Sequence, residues 1–243
     1  MLVRDGLLII NKPQGLTSHD VVEEVRRRLS MRRIGHAGTL DPMARGVLVL
    51  LVGHATKYQQ LAQAHRKWYE TVIQLGRRTD TGDAWGLVLG EAPVPPVLAL
   101  QVRQVLSEFV GPLTQVPPTF SAVKVRGRPL YWWARRGMPQ VAKPKQVEIF
   151  AIELLESQAT SLRCRIECSA GTYIRSLAEA IAARLGTVGH VGELTRLAVG
   201  SWTLDQACEL SWVQQASIDD VWRAVRPLHL NFSSTSLSPS VTP

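Results

Sequence analysis

Between Gly35 and Gly46 the chain reads Gly-His-Ala-Gly-Thr-Leu-Asp-Pro-Met-Ala-Arg-Gly, and an apolar run over 47–52 follows directly. Three glycines allow close approach of backbone and positive φ. Pro42 biases the preceding Asp41 towards an extended conformation, which holds its carboxylate in one direction. A carboxylate held in this way can act in catalysis or simply close an Asx turn ahead of a strand; residue types leave both readings open. The segment is not a phosphate loop, since no Gly-Lys-Ser/Thr follows at the required spacing.

A second candidate is Gly171 to Leu177, a strand-to-helix junction carrying Tyr173 and Arg175. An arginine in a first helical turn opposes the helix dipole, so either it is a surface residue or something other than helix stability explains it. The third is the stretch 122–145, which holds Lys124, Arg126, Arg128, Arg135, Arg136, Lys143 and Lys145, has no acidic residue, and is interrupted by Tyr131, Trp132 and Trp133. Cations that neutralise phosphates, with aromatics to stack on bases, suit RNA; a basic solvated face over core tryptophans is the plainer reading. Arg26 to Arg28, Arg32 and Arg33 form another basic cluster, to which Lys57 and Lys67 add. The six histidines are scattered, and only His36, inside the glycine loop, stands out.

The elements that must position these groups follow from periodicity. Leu7 to Ile10 reads as a buried strand stopped by the turn Lys12-Pro13-Gln14-Gly15. Thr17 or Ser18 then caps a helix with Val21, Val22, Val25 and Leu29 on one face, and Glu23 and Glu24 placed four residues before Arg27 and Arg28. Strands are expected over 68–75, 147–155 and 161–169, and the acceptor-rich turn Thr79 to Asp83 follows the first of them. A helix carrying Val102, Val105, Leu106 and Phe109, another from Tyr173 to Leu185 ended by Gly186, and a last helical stretch over 205–225 complete the list. Without regular βαβ alternation, the expected class is α+β around a mixed, largely antiparallel central sheet flanked by helices.

Composition bounds the rest. With 243 residues, 45% hydrophobic and 20% charged, the chain has enough apolar material for an ordinary core. Lys plus Arg is 28 against 20 for Asp plus Glu, a net +8 that points to nucleic acid, anionic lipid or acidic substrates. Cys164 and Cys168 lie about 13 Å apart along an alternating strand, too far to bridge, and read as core hydrophobes in a reducing compartment. No metal site, export signal or membrane span is expected, and the location is the cytoplasm. The division is a catalytic domain over 1–228 and a disordered tail over 229–243, since nine of the thirteen residues from Asn231 onward are Ser, Thr or Pro.

Several motifs together resemble a known family. Asp5 to Ser18, Gly35 to Gly46, Gly53 to Lys57, Lys67 to Tyr69, Thr79 to Asp83, Pro117 to Lys124 and Gly171 to Leu177 occur in the order of the TruB family, bacterial tRNA pseudouridine synthases acting on uridine 55 of the T-loop. The resemblance runs from about residue 5 to about 225. It implies the pseudouridine synthase fold, with an active-site cleft on the sheet. It also implies that Asp41 is the catalytic aspartate, Arg175 the arginine paired with it, and Tyr69 the tyrosine that stacks on the uracil and accepts the carbon-5 proton. Tyr173 and Leu194 match residues lining the uracil pocket, His36 the histidine near the everted nucleotide, and Lys57 a phosphate contact. Lys124, Arg126, Arg128, Arg135 and Arg136 are expected to hold the tRNA arm. No cofactor, metal or protein partner is implied, and a monomer is expected.

Two departures from the family are expected: the C-terminal RNA-binding domain of the PUA type that many relatives carry is not anticipated after the Ser/Thr/Pro-rich tail, and Phe120 stands where many relatives have tyrosine. The competing readings are an RNA-binding folding chaperone with little or no catalysis and a glycoside hydrolase. The hydrolase fits poorly, because the matching context supplies an arginine where a second acid is needed.

Overall fold

The computed structural model describes residues 5–228; the tail expected from 229 lies outside them. The chain divides into two compact units, one running to Lys67 and resuming at Thr195, the other spanning Trp68–Leu194.

In the first unit, strand Gly6–Lys12 pairs antiparallel with strand Arg45–Val52, in register from Gly6 opposite Val52 to Lys12 opposite Gly46. Ile34–His36 pairs antiparallel with the far half of Arg45–Val52, and Cys208–Glu209 lies parallel to Gly6–Lys12. The end of strand Gly189–Val199 runs parallel to Arg45–Val52, with Arg196 opposite Gly46. The uninterrupted apolar run 47–52 follows from this placement, because both faces of its strand are buried. Leu48, Leu50 and Val52 pack with Val21, Val22, Val25 and Leu29 of helix Ser18–Leu29, and with Leu210, Val213 and Trp222. Val47, Val49 and Leu51 face the other way, against Ala37, Ala55, Ala62 and Val199.

Helix Ser18–Leu29 starts at a capping box: Asp20 N–H donates to Thr17 Oγ1 at 3.1 Å, and Thr17 N–H donates to Asp20 Oδ2 at 2.8 Å. The acid-base pairs expected at a spacing of four form at three, Arg26 with Glu23 and Arg27 with Glu24. The last helical stretch expected over 205–225 is broken. It comprises a 3-10 turn Leu204–Gln206, the strand Cys208–Glu209, and helices Leu210–Gln215 and Ile218–Ala224, the last restarted by Ser217 as N-cap.

In the second unit the strand order is Gly189–Val199, Lys67–Leu75, Ser161–Cys168, Lys145–Ser157, Gly111–Gln115. Two bulges, between Ile149 and Ala151 and between Leu154 and Glu156, bend the longest strand. Cys164 and Cys168 are buried and not joined in a disulfide, as read from the alternation. The helix expected from Tyr173 spans Ile174–Arg184, with Tyr173 in the N-cap position. Strand Gly189–Val199 is not evident in the sequence, because Gly189 and Gly192 interrupt it. Both are required: a Cβ at Gly189 would lie 2.8 Å from Gln74 O, and one at Gly192 would lie 2.8 Å from Gln74 Cγ.

The architecture is α+β with mixed, mostly antiparallel strand pairing, as the pattern predicts. No helix among the described residues is long and apolar enough to cross a membrane. Thr17→Ala removes one half of the capping box and should cost about 1 kcal/mol. The measurement is the urea midpoint at unchanged m-value; an unshifted midpoint would mean that the cap contributes nothing.

Candidate active site

In the first unit Asp41 opens a turn: Ala44 N–H donates to Asp41 O at 3.0 Å, with Pro42 as the second residue. The turn reading and the fixed-carboxylate reading are thus compatible. Both neighbours of Asp41 are clamped. Leu40 N–H donates to Ser18 Oγ at 2.8 Å and the same hydroxyl donates back to Leu40 O at 3.1 Å, while Gly15 N–H donates to Pro42 O at 2.9 Å. Asp41 itself is partly exposed. The clamps therefore leave its side chain at the surface of a segment whose backbone is pinned on each side.

Two cations lie beneath this segment, and neither was singled out from the sequence. Arg196 is 1% exposed and donates to Gly38 O, Thr39 O and Val47 O. Lys12 is fully buried, and its ammonium donates to Pro13 O at 2.8 Å and Leu16 O at 2.7 Å. Their buried roles exist only in three dimensions, since a lysine before proline and an arginine in a strand look like surface charge. His36, in strand Ile34–His36, is held neutral by burial and by the positive charge of Arg196. Lys57 is exposed, in the 3-10 segment Gly53–Tyr58. Lys67, counted with the basic surface, is instead buried and donates to Gln63 O and His65 O.

In the second unit Arg175, the second residue of its helix, is 3% exposed. Its guanidinium donates to Thr81 O at 2.6 Å and Phe120 O at 2.9 Å, and stands 3.9 Å from Asp83 Oδ2. Tertiary bonds therefore explain an arginine that the helix dipole disfavours. Asp83 is oriented in turn by Thr81 Oγ1 at 2.8 Å and Trp85 N–H at 3.0 Å. The sequence showed Asp83 only as a turn acceptor. Because Arg175 bonds the carbonyl of Phe120, the missing phenol hydroxyl does not affect this contact.

Tyr173 exchanges two bonds with Gln115, its N–H donating to Oε1 at 2.9 Å and its carbonyl accepting from Nε2 at 3.3 Å. Tyr69 is buried on strand Lys67–Leu75. Leu194, also buried, lies on the neighbouring strand, directly after Glu193, whose carbonyl accepts from Thr71 Oγ1. The structure thus joins Arg175 to Asp83 and places Leu194 on the strand beside that of Tyr69.

Lys124, Arg126, Arg128, Arg135 and Arg136 are all exposed, the first three on one short hairpin and the last two at the C-cap of helix Leu130–Ala134 and directly after it. Arg126 and Gly127, at φ 51° and 78°, form its two-residue turn. The tryptophans are not simply open to bases. Arg136 lies 3.7 Å and Arg128 5.3 Å from the Trp132 ring, and Trp133 Nε1 donates to Val125 O at 3.0 Å. Tyr131, 40% exposed, has Arg135 at 5.6 Å. Among the described residues no group of three or more His, Cys, Asp and Glu side chains is placed to hold a metal ion.

Burial pushes the Lys12 ammonium down from 10.5 to about 8, against the opposing pull of Asp41. Between those values the unfolded chain binds more protons than the folded one, so stability rises with pH there and the cost of the buried charge is fully present below about 8. Relative to Lys12→Met, the natural chain should gain at most about 1.4 kcal/mol per pH unit across the window. Urea midpoints of both proteins check this; a pH-independent difference would remove the depressed lysine.

Residues 26–174 match the TruB family pseudouridylate synthase N-terminal domain. The tRNA pseudouridine synthase B of Opitutus terrae is 40% identical over 225 residues, covering 93% of this chain and 93% of that protein. The protein of the same name from Aromatoleum aromaticum is 44% identical over 207 residues, covering 85% of this chain and 67% of its own. Among solved structures, a crystal structure of a Cbf5-Nop10-Gar1 complex contains a chain that superimposes with a TM-score of 0.71 at 28% identity, over 93% of this chain and 61% of that one. The matched stretch holds the Asp41 segment, Tyr69, Asp83 and Tyr173, and on this likeness the chain belongs to the TruB family of pseudouridylate synthases.

Proposed function

We propose that this chain isomerises uridine 55 in the T-loop of tRNA to pseudouridine, with Asp41 as its nucleophile. The observation that supports it most is the Asp41 segment: a family-matched stretch in which the backbone on both sides of a partly exposed carboxylate is hydrogen-bonded in place. A nucleophile fixed before substrate arrives lowers the entropic part of the barrier.

A uridine stacked in a folded loop is out of reach, so the nucleotide is flipped out, at a cost of a few kcal/mol. Asp41 then assists cleavage of the bond between C1′ and N1 of the uridine. The freed uracil turns and C1′ rejoins it at carbon 5. The carbon-5 hydrogen leaves as a proton and N1 gains one, so substrate and product are isomers and no electron changes hands. Tyr69 is assigned to stack on the uracil and accept that proton, and Tyr173 and Leu194 to line its pocket. Arg175, oriented by Thr81, Phe120 and Asp83, is assigned the cation that serves the nucleophile. His36, neutral and half-buried, fills space beside the everted nucleotide. Lys57 and the five exposed cations from Lys124 to Arg136 neutralise tRNA phosphates, and recognition rests on the shape of the T-loop as much as on its sequence. The reading puts the chain in the cytoplasm, acting as a monomer on the T-arm.

Purified protein incubated with unmodified tRNA transcript should give a single carbodiimide-dependent primer-extension stop at the T-loop uridine. Asp41→Asn should lower turnover by about a thousandfold or more while leaving tRNA affinity within a few-fold. Ordinary turnover by this variant would overturn the mechanism, and binding without isomerisation by the natural chain would point to an RNA-folding chaperone. Replacing both Arg128 and Arg136 by serine should weaken tRNA binding and flatten the slope of log affinity against log salt by roughly 1.5. An unchanged slope would place the phosphate contacts elsewhere.

A further inference from the structure

Among the described residues, Arg196 is the largest fully buried side chain. Its partners are three carbonyl oxygens: Nε donates to Val47 O at 2.7 Å, one terminal nitrogen to Thr39 O at 3.2 Å, and the other to Gly38 O at 3.1 Å. Its backbone lies opposite Gly46 in the parallel pairing with strand Arg45–Val52. One residue therefore grips both ends of the segment that holds Asp41. The main chain of Arg196 meets it at Gly46, and the side chain reaches across to Gly38 and Thr39. The fit at Gly46 is close: with φ at +106°, a Cβ there would lie 2.2 Å from Arg196 O.

We infer that Arg196 is a positioning residue for the nucleophile, setting the place of the Asp41 carboxylate by closing the segment from Gly38 to Gly46 on itself. This rests on the reading of Asp41 as nucleophile. Three donors in one rigid plane fix the directions of three carbonyls at once, which a lysine cannot reproduce from its single nitrogen. The guanidinium also places a positive charge under the segment, and its three acceptors are neutral carbonyls. That charge is felt nearby, since it disfavours protonation of both His36 and Lys12. A misplacement of about 1 Å at a reacting atom can cost about a hundredfold in rate, so a slackened segment should lose turnover before it loses affinity.

The test compares Arg196→Lys and Arg196→Met with Asp41→Asn and with Val213→Ala, a cavity variant in the apolar core of the same unit. Single-turnover rate and KM for tRNA transcript are measured at a temperature where each protein is folded. Arg196→Lys should lower the rate about tenfold and Arg196→Met about a hundredfold, both with KM within threefold. Val213→Ala should lose stability at unchanged rate. If Arg196→Met does not fold, the lysine variant decides. Lysine or methionine variants with the natural rate, or a loss confined to KM, would overturn the inference. Asp41→Asn in parallel separates the two failures: full activity there removes the nucleophile itself, whereas an inactive Asp41→Asn beside fully active Arg196 variants removes only the positioning role.

Discussion

A guanidinium with almost no contact with water, bonded to the carbonyl oxygens of Gly38, Thr39 and Val47, is the constraint on which the rest of the segment carrying Asp41 depends. Burying a cation is unfavourable unless its hydration is replaced, and here main-chain oxygens replace it. Those oxygens must then point inward, which turns the segment between them outward and leaves Asp41 partly exposed. Ser18 and Gly15 complete the arrangement by taking the polar groups of Leu40 and Pro42. Lys12 repeats the device on a smaller scale, with its ammonium held on Pro13 O and Leu16 O.

The second unit applies the same principle to Arg175. Two of its acceptors are carbonyls, those of Thr81 and Phe120, and the nearby carboxylate of Asp83 is itself held by a hydroxyl and a backbone N–H. A cation fixed in this way can serve negative charge without first reorganising its own shell. The exposed cations from Lys124 to Arg136 are organised differently: arginine planes lie against the Trp132 ring, which limits their motion while leaving their charge in water.

What could be read from the sequence follows from how local the cause was. Helix Ser18–Leu29 was legible because its cap, its apolar face and its charges lie within a dozen residues. The run 47–52 was legible because burial on two faces removes all polar letters. Strand Gly189–Val199 was not, since its glycines answer to Gln74, over a hundred positions away. The supposed single helix over 205–225 broke where Ser217 and a strand partner for Ile10 outweighed helical periodicity. Asp41 stood out through Pro42 and the flanking glycines, and Arg175 through its awkwardness at a helix start. Lys12, Arg196 and Asp83 did not, because a buried ion's role is set by partners that only folding brings to it.

Arg196 and Arg175 bind oxygens that every amino acid possesses, so neither arginine reads the side chains at Gly38, Thr39, Val47, Thr81 or Phe120. The ring at Phe120 can therefore lack its hydroxyl without disturbing the arginine beside it. The same fact limits transplantation. Copying the letters from Gly35 to Gly46 into an unrelated scaffold would carry over the aspartate but not the path of main chain that aims it. The portable unit is larger: the loop, the end of the strand bearing Arg196, and the turn from Lys12 to Ser18, moved together.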